Sequence, residues 1–264
     1  MKKDKVLYYS DPLNDDFSKV KFEGRKLPDN YTYITKNPFR RAFDWILYHV
    51  FAMPFGWIYT SILWNQKIVN KKALKPYKKA GYFLYGNHTR MGGDAFTPGL
   101  ISNPAKAFII TNNDSASNCV VEFFTKSLGA LPLPSSFKGF KSFHKSIKER
   151  VENGKPVCIY PEAHIWPYYT KIRPFKDASF HYPAELNKPV FTFTTTYQKR
   201  RFIKTPKVIV YIDGPFFPDI NKRLKENQKE LRDKCYNAMV ERSKNSNYEY
   251  IKYVYKQKEE ENNN

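Results

Sequence analysis

Short apolar runs of strand length recur along this chain, each followed by turn residues and then by helical spacing. The runs are Gly81–Gly86 (GYFLYG), Ala105–Ile110 (AKAFII), Lys155–Tyr160 (KPVCIY), Pro189–Thr195 (PVFTFTT) and Lys207–Ile212 (KVIVYI). Runs this apolar have little polar face to give to water, so they belong in a sheet covered on both sides. Between two of them, Phe137, Phe140, Phe143, Ile147 and Val151 recur at spacings of three and four, which predicts an amphipathic helix that Gly154 stops. Strand then helix, repeated, calls for an α/β fold: a mostly parallel sheet flanked by helices. Right-handed crossovers would collect His88, Tyr160–Glu162 and Thr194–Thr196 on one edge. Open α/β sheets carry their chemistry on such an edge.

The remaining elements follow from local signals. Asp114 or Ser115 is expected to cap a helix through Ser127. Leu128–Pro134 is an edge or extended segment, because its two prolines cannot donate to a central ladder. A short helix runs to Leu186, and another starts at Asp219 with Ile220, Leu224, Leu231, Cys235, Met239 and Val240 along one side. The organisation expected is an irregular arm over 1–37, an interfacial helical segment over 38–72, an α/β domain over 73–243 and a polar, frayed tail over 244–264.

Ala42–Trp64 is the most hydrophobic stretch of the chain, with Arg40-Arg41 before it and Lys67, Lys71 and Lys72 after it. It is long enough to span a bilayer. Asp44 and His49 would be costly at membrane depth, and Pro54-Phe55-Gly56 breaks the helical pattern, so two short helices lying in the interface, an N-terminal membrane-associating helical hairpin, are expected. Trp45, Trp57 and Trp64 are the residues expected to associate with the membrane. A hairpin buried against the core is the alternative. The net charge of +20, from 45 Lys plus Arg against 25 Asp plus Glu, points to an anionic partner, and anionic lipid is the one this segment suits. Nucleic acid is set aside, because many of the aromatics concentrate in this apolar stretch instead of alternating with cations. The three cysteines are far apart, and the N-terminus lacks the apolar core of a signal peptide. The expected location is the cytoplasmic face of a membrane, monotopic or peripheral.

His88 and Asp94 stand where the first apolar run ends, with Gly92-Gly93 between them. An imidazole held by a carboxylate can remove a proton from an alcohol or thiol, because the carboxylate fixes the tautomer and stabilises the imidazolium. No serine or cysteine sits in a G-x-S-x-G elbow, so direct transfer to an acceptor hydroxyl is expected. Glu162 could hold a polar acceptor while Lys171, Arg173 and Lys176 bind its phosphate. A metal centre from His88, Asp94, His164 and His181 is set aside, because no two of them have helix-face ligand spacing.

Taken together, these segments resemble the PlsC-like glycerolipid acyltransferases. Gly86–Asp94 (GNHTRMGGD) is similar to the family's Asn-His-x4-Asp motif with one extra residue, so the carboxylate falls six positions after the histidine instead of five. Tyr160–His164 (YPEAH), Pro174-Phe175-Lys176 and Lys188–Phe191 (KPVF) resemble its later motifs in order. The resemblance covers about 42–218. It implies that His88 is the general base on the acceptor hydroxyl and that Asp94 orients it. The donor would be acyl-CoA or acyl-carrier protein as co-substrate, and the acceptor a lysophospholipid such as 1-acylglycerol-3-phosphate. No other cofactor is expected. The phosphate-binding Arg of the second motif has no counterpart in Leu128–Ser135, which leaves Lys138 or Arg173 to substitute. A catalytically inert lipid-binding relative and a basic nucleic-acid-binding protein are the alternatives.

Overall fold

The computed structural model describes residues 5–18 and 26–257. From the N-terminus come β1 (Lys5–Tyr9), α1 (Pro38–Ile46), a π-helical turn (Leu47–Ala52), α2 (Met53–Trp64) and β2 (Lys67–Val69). Then follow β3 (Phe83–Gly86), α3 (Gly93–Ser102), β4 (Phe108–Thr111), α4 (Cys119–Ser127), β5 (Ala130–Pro132), α5 (Phe137–Glu152) and β6 (Val157–Ile159). The chain ends with α6 (His181–Leu186), β7 (Val190–Gln198), β8 (Lys207–Phe216), α7 (Leu224–Ser243) and β9 (Ile251–Tyr255).

Seven of these strands form one sheet in the order β2-β8-β7-β3-β6-β4-β5. Every pairing in it is parallel except β7 with β8. β3 lies at the centre, with Phe83 opposite Val157 on one side and Val190 on the other. Its side chains alternate: Phe83 and Tyr85 join the core formed with α5 and α7, and Leu84 joins the core on the opposite face with Trp64, Leu74 and Ile101. Two covered faces account for the apolar sequence of the central strands.

Close packing at the end of β3 dictates a glycine. A Cβ on Gly86 would lie 2.1 Å from the Phe193 ring, so β3 and β7 can bring the following loop over the sheet only because Gly86 has no side chain. The sharp stop of α5 likewise falls at Gly154, in the left-handed region at φ 72°.

Several expectations are corrected. The interfacial stretch is one helical run, Pro38–Trp64, long and apolar enough to cross a membrane, in place of two short helices. Pro54 does not break it because it follows directly on the π-helical turn Leu47–Ala52, where the regular i to i−4 ladder is already interrupted. Strand β2 pairs with β8, so the residues just after this run belong to the sheet. The helix expected from Asp114 or Ser115 starts at Cys119, capped by the Asn118 side chain on the Val121 N–H. β8 continues through Gly214-Pro215, and α7 begins at Leu224, leaving Ile220 outside the helix and exposed. β5 holds the sheet edge, as its Pro132 requires.

The arm and the tail also differ from expectation. β1 pairs in parallel with β9, Lys5 opposite Ile251 through Tyr9 opposite Tyr255. Trp166 is buried between them and the site loop, its ring stacked on Tyr253 at 5.0 Å and its Nε1 donating to the Asp15 carbonyl at 2.7 Å. The tail is therefore a strand over 251–255; the run after residue 257 lies outside the described residues.

Gly86→Ala should lower stability by about 1–3 kcal/mol, the usual cost of overpacking a filled core. Urea denaturation would read this directly, and an unchanged midpoint would mean that β3 and β7 can separate without penalty.

Candidate active site

The loop after β3 is folded around one carboxylate oxygen. Asp94 Oδ2 lies 2.9 Å from His88 Nδ1, and it accepts from the Thr89 and Arg90 backbone N–H groups, each at 2.9 Å. The Asp94 N–H in turn donates to the Arg90 carbonyl at 3.1 Å. Gly92, at φ 76°, makes the reversal that a side-chain-bearing residue would resist, and α3 begins at the next residue. Asp94 therefore sits in the first turn of α3, where the helix dipole favours its charge. The extra residue in the His-to-Asp spacing is absorbed in this turn.

Around this loop lies a shell of buried polar side chains. Arg90, 1% exposed, brings its Nε to 3.6 Å from Asp94 Oδ1 and donates to Gln66 and Thr97. Its guanidinium also lies over the Trp64 ring at 5.4 Å. Asn87 bonds β7 like a strand residue: its Nδ2 donates to the Thr195 carbonyl at 3.0 Å, and its Oδ1 accepts from the Thr195 N–H at 2.8 Å. The Tyr160 ring stacks on His88 with centroids 4.5 Å apart, and its hydroxyl donates to the Asp94 carbonyl at 2.6 Å. Burial, with the Asp94 charge adding to it, pushes the Tyr160 phenol well above its ordinary value, so it stays protonated as a donor.

Glu162 and Arg173 occupy different places from those expected. The Glu162 carboxylate accepts from the His88 N–H and the Arg173 N–H, both at 3.0 Å. The Arg173 guanidinium reaches the same carboxylate at 3.5 Å and the Glu162 carbonyl at 3.2 Å. Both side chains are buried. Burial pushes the Glu162 carboxyl up, against the opposing pull of Arg173 and the two N–H groups, and it pushes Arg173 down. This pair ties the 162–173 loop to the backbone of His88; its hydrogen-bonding capacity is used internally and not turned toward a substrate.

A cavity of about 710 Å³ lies beside His88, a volume suited to a small-molecule or lipid ligand. His88, Asp94 and Tyr160 contribute to its wall, and most of the rest is apolar, including Met53, Phe96, Ile110, Leu133 and Phe140. Among the described residues that line it, Lys176 is the one lysine or arginine. Lys138 lies on the exposed face of α5 outside the cavity. Trp45 and Trp57 are 58% and 63% exposed, whereas Trp64 is 5% exposed, with its Nε1 donating to the Tyr168 hydroxyl at 3.3 Å. Trp64 thus packs beneath the site loop, and its buried ring is not available to a membrane.

An imidazole braced by a carboxylate at the end of a central parallel strand, beside a largely apolar cavity, is an arrangement for moving a proton next to a hydrophobic substrate. A family model described as Acyltransferase matches residues 66–196. The chain carries an acyltransferase-family domain over this span. It is an acyltransferase, and the matched span contains His88, Asp94, Glu162, Arg173 and Lys176. Its fold is similar to that of the 1-acyl-sn-glycerophosphate (LPA) acyltransferase PlsC from Thermotoga maritima. The TM-score is 0.55 at 16% identity, covering 81% of this chain and 85% of that chain. A comparison with curated proteins finds no match.

Sequence reasoning put Tyr160 on the site edge without giving its side chain a role, and it did not single out the Arg90 and Asn87 side chains. Arg90 and Asn87 flank His88 in the sequence, but only burial shows that both side chains turn inward.

Arg173→Met should cost about 3–5 kcal/mol of stability, because it strands the Glu162 charge in the interior. Lys176→Ala should leave stability nearly unchanged. Thermal denaturation of the two variants separates the structural cation from the cavity one, and equal losses would contradict the assignment.

Proposed function

We propose that this acyltransferase moves a fatty acyl group from a thioester donor, acyl-CoA or acyl-carrier protein, to a hydroxyl of a lysophospholipid such as 1-acylglycerol-3-phosphate. The observation that carries this reading is the His88–Asp94 contact at 2.9 Å on the wall of a largely apolar cavity. With Nδ1 held by the carboxylate, the imidazole has Nε2 left for the acceptor. His88 Nε2 takes the hydroxyl proton as the acceptor oxygen attacks the thioester carbonyl carbon. The tetrahedral intermediate collapses by breaking the carbon–sulfur bond, and the departing thiolate takes the proton from the His88 imidazolium. The products are the ester and the free thiol, and His88 returns neutral.

Asp94 keeps the tautomer fixed and stabilises the imidazolium between the two proton transfers. Lys176 supports an anionic acceptor, since it is the one lysine or arginine on the described cavity wall. The +20 net charge suits acidic donors and anionic lipid alike. The solved relative whose fold this chain resembles is described as an LPA acyltransferase, which adds support for a lysolipid acceptor.

The substrate would be drawn from a membrane on which the protein lies, at the cytoplasmic face. The support is the surface of the Pro38–Trp64 run, where Phe39, Trp45, Phe51, Trp57 and Ile62 are all exposed. Apolar side chains of this size normally seek an apolar neighbour, and flanking Lys and Arg suit anionic headgroups.

Thiol release from acyl-CoA or acyl-carrier protein, measured with a panel of lysolipids, tests the reaction. His88→Ala and Asp94→Asn should each lower kcat/KM by about 10²–10⁴-fold, the usual worth of a general base. Lys176→Ala should raise KM for a phosphate-bearing acceptor and change kcat little. Full activity in His88→Ala, or no transfer by the wild type to any acceptor, would sink the proposal. Sedimentation with anionic vesicles should fall when Trp45 and Trp57 are both replaced by Ser, whereas Trp64→Ser should act on stability instead. Unchanged sedimentation of the double variant would contradict the membrane surface.

A further inference from the structure

Away from the acyl-transfer cavity wall formed by His88 and Asp94, three side chains from two helices turn toward one point. His144 of α5 brings Nε2 to 2.5 Å from Glu185 Oε2, and His181 of α6 brings its Nε2 to 3.2 Å from the same oxygen. The donor atoms of all three residues lie within 4.8 Å of one another. His181 and Glu185 are a helical turn apart, so the fold of α6 presents them on one side. His144 arrives from α5, and the two imidazole rings tilt at 51° with centroids 6.2 Å apart.

A lone His–Glu pair is an ordinary surface contact. Here one carboxylate oxygen serves two imidazoles that face each other, which is more than a pairwise hydrogen bond requires. Two imidazoles and one carboxylate are the donor set of borderline cations, zinc above all, and not of Mg²⁺ or Ca²⁺, which prefer oxygen throughout. Metal–ligand bonds of about 2.0–2.2 Å set tetrahedral ligand atoms about 3.4 Å apart, so His144 would part from Glu185 by about 0.9 Å through side-chain rotation, whereas His181 already stands 3.2 Å from that oxygen. All three residues are partly exposed, so an ion can enter from solvent and a water can complete a tetrahedron.

We propose that His144, His181 and Glu185 form a site for a divalent transition metal, Zn²⁺ in the first instance, with three protein ligands and one open position. The site joins α5 to α6. The same two helices supply Phe140 and Tyr182 to the wall of the cavity, and the His144 ring lies 5.9 Å from that of Tyr182. A bound ion would fasten that wall from outside.

The test is calorimetric titration of the tag-free full chain with ZnCl2, together with Co²⁺ absorption spectra and thermal denaturation with and without Zn²⁺. One equivalent of Zn²⁺ should bind, Co²⁺ should show the d–d bands of a tetrahedral site, and Zn²⁺ should raise the melting temperature. His144→Ala, His181→Ala and Glu185→Gln should each weaken Zn²⁺ at least about tenfold, since losing only an outer-sphere partner of a ligand already costs about 10–100-fold. The His144→Ala, His181→Ala double variant should lose the thermal shift. His164→Ala and Cys119→Ser serve as controls that keep it. No stoichiometric binding by the wild type, or binding that survives the double variant, overturns the proposal.

Discussion

One oxygen of Asp94 holds the site together. It lies 2.9 Å from the His88 ring nitrogen and accepts from two successive backbone N–H groups, so the loop between β3 and α3 has little freedom left. A carboxylate can be buried here because so many donors meet it, and its place in the first turn of α3 adds the favourable end of the helix dipole. The histidine is thereby fixed in ring orientation by a group that is itself fixed by backbone. Preorganisation of this kind leaves the imidazole needing no further ordering when a ligand enters the cavity.

That loop is anchored to the rest of the sheet by polar groups that elsewhere would be a liability. Asn87 continues the β3–β7 pairing with its side-chain amide, and Glu162 accepts the His88 N–H from below the loop. Arg173 neutralises Glu162, and Arg90 lies against Asp94 and Trp64. Each of these charges would be costly to bury alone, and each has a partner within the same few ångströms. The cations of the site are thus divided by burial. Arg173 and Arg90 hold structure, while Lys176 stands exposed on the cavity wall.

The apolar helical run Pro38–Trp64 links the surface to this interior. Its buried side supplies Met53 to the cavity and Trp64 to the support of the loop, while Trp45 and Trp57 project outward. One helix therefore meets both the surroundings and the site. The His144–His181–Glu185 cluster has a separate origin, in the meeting of α5 and α6.

Periodicity was enough to reveal the α/β class, the central strands, the amphipathic α5 and the edge position of β5, because those depend on which residues must leave water and on where proline cannot donate. His88 and Asp94 were legible as a pair because both follow an apolar run that ends in a glycine-rich turn. Pairing between distant segments was not legible: β1 with β9, Glu162 with Arg173, and Asn87 with Thr195 join residues whose proximity depends on the whole sheet. The burial of Trp64 was hidden for the same reason, since an amphipathic or apolar pattern does not say which neighbour will cover it. Sequence by itself determined what chemistry the chain carries and where its apolar surface lies. Tertiary structure alone decided that Asp94 folds back onto His88 across one extra residue, because only the left-handed Gly92 and the start of α3 turn that spacing into a hydrogen bond.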